Sequence, residues 1–162
     1  MLELANTDET VHLKCEVLGY QFPDAERDDW CMIRVQIRQG DASFEGVDPA
    51  LEAIDLPSIR DWLMCLKNGR LPRWAHLTFT EPCLGLEFLA REQTGVRIAV
   101  HLGGALRPPF PLEWLGMAWD SWQVVAVLDR DELGAMVAGV ERTMSQFPVR
   151  SGRVRGDGHG SG

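Results

Sequence analysis

A proline set between two short alternating apolar runs constrains this chain most. In His76-Leu77-Thr78-Phe79-Thr80-Glu81-Pro82-Cys83-Leu84-Gly85-Leu86-Glu87-Phe88-Leu89, Leu77 and Phe79 alternate with polar residues before Pro82; Leu84, Leu86 and Phe88 do so after it. Period-two alternation is the pattern of a strand with one face in a core. Proline has no N–H to donate to a ladder, so Pro82 marks a break between strands. The stretch predicts two strands hinged at Glu81-Pro82 in an antiparallel sheet.

Other segments supply the rest of that sheet. Val11, Leu13, Cys15 and Val17 alternate over residues 10–20. A loop follows from Gln21 to Asp29, with Pro23 and the acidic cluster Asp24, Glu26, Asp28 and Asp29. Trp30 to Arg38 reads as the next strand, with Cys31, Ile33, Val35 and Ile37 on one face; Gly40-Asp41 turns it into a short strand, Ala42 to Val47. A second meander is expected over Trp74–Thr80, Leu84–Glu92 and Val96–Leu102, with Gln93-Thr94-Gly95 as a turn and Gly103-Gly104 at the end. Trp122 to Leu128 is a last strand. Between them, Ala105 to Asp120 carries Pro108, Pro109, Phe110, Pro111, Trp114, Met117 and Trp119, a segment that either covers a sheet edge or forms a contact surface.

Two helices are marked by their ends. Asp55 is placed to N-cap the first, Leu56–Lys67, with Pro57 in its first turn and Gly69 beyond its end. Ile59, Trp62, Leu63 and Leu66 give it an apolar stripe. Asp129 with Glu132 three residues on is a capping-box pattern for the second, Arg130–Ser145, whose stripe is Leu133, Met136, Val137, Val140 and Met144. The expected fold is α+β: one domain over 1–150, a mainly antiparallel sheet of about seven strands in two meanders, and two helices packed on it. Trp62, Leu63, Phe79, Leu86, Phe88, Ile98, Val100, Val125, Val127, Leu133 and Val137 are its expected core. Residues 151–162, rich in Gly, Ser and Arg, are expected to be a disordered tail.

Charge and cysteine usage narrow the setting. With 16 Lys+Arg against 24 Asp+Glu, the net charge is −8, which disfavours nucleic acid as a direct ligand and favours a basic protein partner. The N-terminus is acidic and has no apolar export core, and no apolar run is long enough to span a bilayer, so a cytoplasmic location is expected and no membrane association. Cys15, Cys31, Cys65 and Cys83 lie far apart and read as free thiols.

The chain lacks the known catalytic signatures. It has no G-x-S-x-G, Walker loop, H-E-x-x-H or C-x-x-C. His12, His76 and His101 fall on separate strands, and nothing in their spacing relative to Cys15 or Cys83 calls for a metal. Neither a cofactor nor a catalytic residue is expected. Asp48-Pro49 and Glu81-Pro82 read best as turns in which a carboxylate accepts backbone N–H groups.

The segments that stand out together are Leu18-Gly19-Tyr20-Gln21-Phe22-Pro23, the acidic run before Trp30, Val47-Asp48-Pro49-Ala50-Leu51, the Trp62-Leu63 helix, Leu77-Thr78-Phe79-Thr80-Glu81-Pro82-Cys83-Leu84 and Phe147-Pro148-Val149-Arg150. Their order and spacing, from about residue 11 to 150, resemble the WapI-type immunity proteins, bacterial antidotes to polymorphic toxins. Departures are Asp29-Trp30-Cys31, where the family more often has Asn-Trp-Leu, and Cys83, where Asn commonly follows Glu-Pro. The resemblance implies binding and inhibition of a toxin's catalytic domain, often an RNase acting on tRNA, without catalysis by the antidote itself.

The expected activity is therefore non-enzymatic neutralisation of a cognate, basic toxin domain. Asp24, Glu26, Asp28 and Asp29 are its candidate contacts, with Trp114 and Trp119 as a second set. As exposed loop charges, Asp28 and Asp29 should be reversible to lysine within about 0.5 kcal/mol of stability. The rival readings are a general protein-interaction module and a small-substrate enzyme using Glu81 and Glu87 beneath Trp114, Trp119 and Trp122. Oligomeric state and the toxin's identity are not legible in the residues.

Overall fold

The computed structural model describes residues 1–109 and 122–150. Most of the Pro- and Trp-rich segment, including Trp114 and Trp119, lies outside them, as does the tail 151–162. The elements are β1 (Leu2–Ala5), β2 (Val11–Tyr20), β3 (Trp30–Gln39), β4 (Ala42–Glu52), α1 (Leu56–Lys67), β5 (His76–Thr78), β6 (Leu84–Arg91), β7 (Val96–Leu102), β8 (Trp122–Leu128) and α2 (Arg130–Gln146). Single 3₁₀ turns precede α1 at Ala53–Asp55 and follow β7 at Gly104–Leu106. The chain is α+β, with two four-stranded antiparallel sheets in the orders β1-β2-β3-β4 and β5-β6-β7-β8.

The strand count rises from seven to eight because β1 pairs with β2, Leu2 opposite Cys15 and Leu4 opposite Leu13. Only two apolar side chains alternate in it, too few to stand out within an acidic terminus. β4 also runs past Val47 to Glu52. Asp48-Pro49 is thus strand and not turn. Proline is tolerated there because β4 is an edge strand and its pairing with β3 slips at Cys31/Met32. Conversely, β5 is only three residues long, shorter than the Trp74–Thr80 expected.

Both sheets turn their inner faces to one core. Cys31, Ile33, Val35 and Ile37 are buried along β3, and Val96, Ile98, Val100 and Leu102 along β7. In β8 the inward residues are Trp122, Val124, Ala126 and Leu128, so Val125 and Val127 face outward, contrary to expectation. The run Val124-Val125-Ala126-Val127 is apolar at every position and leaves the parity open; its bulky ends, Trp122 and Leu128, decide it. Phe88 is half-buried, next to a register irregularity between Phe88 and Ala90. At the margins, β1 approaches β8, and β4 meets the 3₁₀ turn Gly104–Leu106. That second contact needs Gly46: a Cβ there would sit 2.7 Å from the Ala105 carbonyl oxygen.

The helices close the core. Leu56, Ile59, Trp62, Leu63 and Leu66 of α1 and Leu133, Met136, Val137 and Val140 of α2 join the same buried cluster as the sheets. The helices pack on each other, and α2 runs beside β1. The Asp129 capping box forms: its carboxylate accepts from the Asp131 and Glu132 N–H groups, both at 2.8 Å, and Glu132 accepts from the Asp129 N–H at 2.7 Å. Asp55 departs from expectation. It stands at the N-cap position of α1 in a helical conformation, with no side-chain cap, and its buried carboxylate instead accepts the Glu52 N–H at 3.0 Å.

On the outer face of the first sheet, Glu16 takes Lys14 at 2.6 Å and Arg34 at 2.6 Å. These hydrogen bonds, Lys14's first, pull its carboxyl down to about 2. The depressed value means that the ion trio stabilises the fold above the ordinary carboxylate range and loses that contribution as pH falls toward 2. Glu16→Gln should therefore lower the urea midpoint at pH 6, and the difference from the unsubstituted chain should shrink steadily below pH 4.5. Trp62→Ala should destabilise by about 3–5 kcal/mol in the same assay, since the ring is buried and its Nε1–H donates to the Trp74 carbonyl at 3.1 Å.

Candidate functional site

The loop between β2 and β3 is closed at its base by Gln21 N–H donating to the Trp30 carbonyl at 2.7 Å. Two tight turns follow inside it, Ala25 N–H to Phe22 O at 3.1 Å and Asp28 N–H to Ala25 O at 3.2 Å. Asp28 then folds its carboxylate back onto the Trp30 N–H at 3.0 Å, an Asx turn that starts β3. The loop is therefore a shaped surface element.

Its four acids separate into two kinds. Asp24 and Glu26 are exposed, whereas Asp28 is half-buried and Asp29 only 3% exposed. Asp29 Oδ1 accepts the Arg150 N–H at 2.6 Å, and its own carbonyl accepts the Ala53 N–H at 2.8 Å. One buried residue thus joins the loop, the turn before α1 and the C-terminal strap. The expectation that Asp28 and Asp29 are freely reversible surface charges is corrected here: Asp29 is interior and bonded.

The strap, Phe147-Pro148-Val149-Arg150, is held from the loop side as well. Arg150 Nη2 donates to the Pro23 carbonyl at 2.6 Å and Nη1 to the Phe22 carbonyl at 3.4 Å. Its guanidinium lies 4.2 Å from the centroid of the Tyr20 ring, a cation–π contact. The Tyr20 hydroxyl donates to the Pro148 carbonyl, and its ring meets Phe147 edge-on at 5.7 Å. Burial holds the Tyr20 phenol above its ordinary range. Outward from this joint, Phe22 is 50% and Val149 39% exposed, and Asp24 and Glu26 follow Phe22 on the exposed side of the loop.

A second cluster is partly buried. Burial first, then the neighbouring Asp48 carboxylate, pushes the Cys83 thiol above its ordinary range. The Cys83 carbonyl accepts the Gly103 N–H at 2.9 Å. The hairpin hinge is thereby tied to β4 and to the end of β7. All four cysteines are free, and burial pushes the Cys15 and Cys31 thiols up to about 12.

The carboxylates of the enzymatic reading have different surroundings. Glu81 is exposed at the hinge, while Glu87 lies between His76 at 3.2 Å and His101 at 2.8 Å. Among the described residues no group of three or more His, Cys, Asp and Glu side chains is arranged to hold a metal ion. No described helix is long and apolar enough to cross a membrane. Trp114 and Trp119 lie outside the described residues. Sequence reasoning missed Tyr20 and Arg150 as partners; both lay in segments that stood out, but the contact joins residues 130 positions apart.

The immunity protein WapI-like family model matches the chain over residues 2–148. No curated protein matches it.

The two kinds of acid predict two kinds of mutant. Asp29→Ala strands the Arg150 amide and should cost about 1–3 kcal/mol in urea unfolding. Asp24→Lys with Glu26→Lys should stay within about 0.5 kcal/mol of the unsubstituted chain, as exposed substitutions do.

Proposed function

The chain belongs to the WapI-like immunity protein family, whose role is to neutralise a toxin, and from that premise we propose that it binds the catalytic domain of a cognate bacterial toxin and blocks it without catalysis of its own. The observation that carries this reading is the family match along 2–148. The net charge of −8 favours a basic toxin domain, and a nuclease, which must itself attract phosphates, is the natural member of that class.

The loop patch has the anatomy such a contact needs. Phe22 supplies an apolar centre, and Asp24 and Glu26 supply acids that steer encounter and stand in for substrate phosphates. Asp28, Asp29, Tyr20 and Arg150 hold the loop in shape before the partner arrives, which lowers the ordering cost of binding. On this reading Asp28 and Asp29 serve the interface from beneath. Trp114 and Trp119 remain proposed as a second contact set, because aromatic side chains dominate interface hot spots.

The test is a binding and inhibition assay with the toxin domain encoded beside this chain's gene. An equimolar complex that abolishes nuclease activity is expected; a pair that neither binds nor loses activity overturns the proposal. Within the complex, Asp24→Lys with Glu26→Lys should slow association, and raising the salt should mask the effect, since exposed charges are screened beyond about 8 Å at physiological ionic strength. Phe22→Ala should instead speed dissociation. If neither variant alters either rate, the loop is not the interface.

A further inference from the structure

The first sheet buries one face and turns the other outward. On β3 the buried Cys31, Ile33, Val35 and Ile37 alternate with outward residues, among them Met32, Arg34 and Arg38. Pro49 of β4 stands opposite Met32, and Val47 opposite Arg34. On the other side of Met32 is Gly19 of β2, where the pairing slips between Val17 and Gly19 and leaves Leu18 as a bulge. Leu18 is 47% and Val47 41% exposed, while Met32 and Pro49 are half-buried. Nothing lies within 4 Å of where a Cβ on Gly19 would stand, so the space beside Met32 is open.

These side chains make an apolar patch on a face that is otherwise polar. Glu16, with Lys14 and Arg34 bound to it, borders the patch. Farther along the strand, about 20 Å beyond Met32, stands Arg38, exposed, with His12 opposite it on β2. The side chains of Arg38 and His12 have no hydrogen-bond or ion-pair partner among the described residues. In the other direction the face ends at the loop between β2 and β3, where Asp24 and Glu26 are exposed.

Along the strands the order is therefore acid, apolar, base. That order is complementary to its own reverse. Two such faces laid together with their strands reversed set apolar on apolar and acid toward base at both ends. This is the isologous contact of a twofold dimer, in which one patch serves on both copies. An apolar centre with a charged rim is also the anatomy of a protein contact.

We propose that the outer face of the first sheet is a self-association surface whose occupant is a second copy of this chain. With the twofold axis crossing the strands at Met32, the residues Leu18, Met32, Val47 and Pro49 would pack on their counterparts. Each copy's Asp24 and Glu26 would approach the other copy's Arg38. Two chains of net charge −8 repel at a distance; on this face Arg38 and His12 offset that repulsion at contact. Asp24 and Glu26 serve the toxin in the reading above, so the two complexes would exclude each other. The inference does not depend on that reading.

The experiment is sedimentation velocity on the full chain alone. Its mass should rise toward that of a dimer as the concentration is raised to about 1 mM, the weak end of specific association. Gly19→Lys, which meets no neighbour in the fold, should weaken association at least about tenfold without lowering the urea midpoint. Asp24→Lys with Glu26→Lys should also weaken it, and adding Arg38→Glu should restore it, since each reversed charge then meets its opposite on the other copy. The inference is overturned if the chain is monomeric throughout, if Gly19→Lys leaves association intact, or if the triple variant associates no better than the double. A chain that stays monomeric while Gly19→Lys impairs toxin inhibition would give this face to the toxin and overturn the inference equally. Loss of toxin inhibition with self-association intact would instead overturn only the other reading.

Discussion

A carboxylate buried in a protein must have hydrogen-bond donors around it, and Asp29 meets that demand by drawing distant parts of the chain together. Its side chain takes the Arg150 amide and its carbonyl takes the Ala53 amide. Through the first bond the C-terminus is returned to the loop that opens β3; through the second, that loop is fixed to the turn before α1. The loop's outward shape, and with it the placement of Phe22, Asp24 and Glu26, follows from these inward bonds.

The segments that resemble the family turn out to be joints. Tyr20 to Pro23 meets Phe147 to Arg150 through a cation–π contact, an aromatic edge and backbone hydrogen bonds. Asp48 on β4 meets Cys83 at the hairpin hinge. Both joints connect elements that no local rule would bring together. A toxin-binding chain built in this way keeps its scaffold rigid through the joints and leaves exposed side chains to choose the partner.

Local pattern revealed much of this fold. The alternation in β2, β3 and β7, the capping box of α2 and the apolar stripes of both helices each follow from period and end chemistry, and each stands in the structure. What escaped was decided beyond the local window. β1 is strand because β2 offers it a partner, β4 passes through Pro49 because its edge tolerates the missing donor, and β8 takes its parity from its ends. The site shows the same division. Four acids in one loop were visible, but the inward turn of Asp29 depends on Arg150, 121 residues away. Position in a loop shows that a charge is near the surface; only the tertiary bond shows which way it points.

Amide hydrogen exchange at Arg150, compared between the unsubstituted chain and Asp29→Asn, tests the central claim most directly, that a buried Asp29 bond fixes the loop and the strap as one unit. Asparagine keeps the size and an acceptor oxygen but removes the charge that strengthens the bond. The account predicts a protected Arg150 amide whose exchange accelerates in the variant together with that of Gln21, Ala25 and Asp28, while the β3 and β7 amides are unchanged. An Arg150 amide already unprotected in the unsubstituted chain, or one released without any change in the loop, would contradict it.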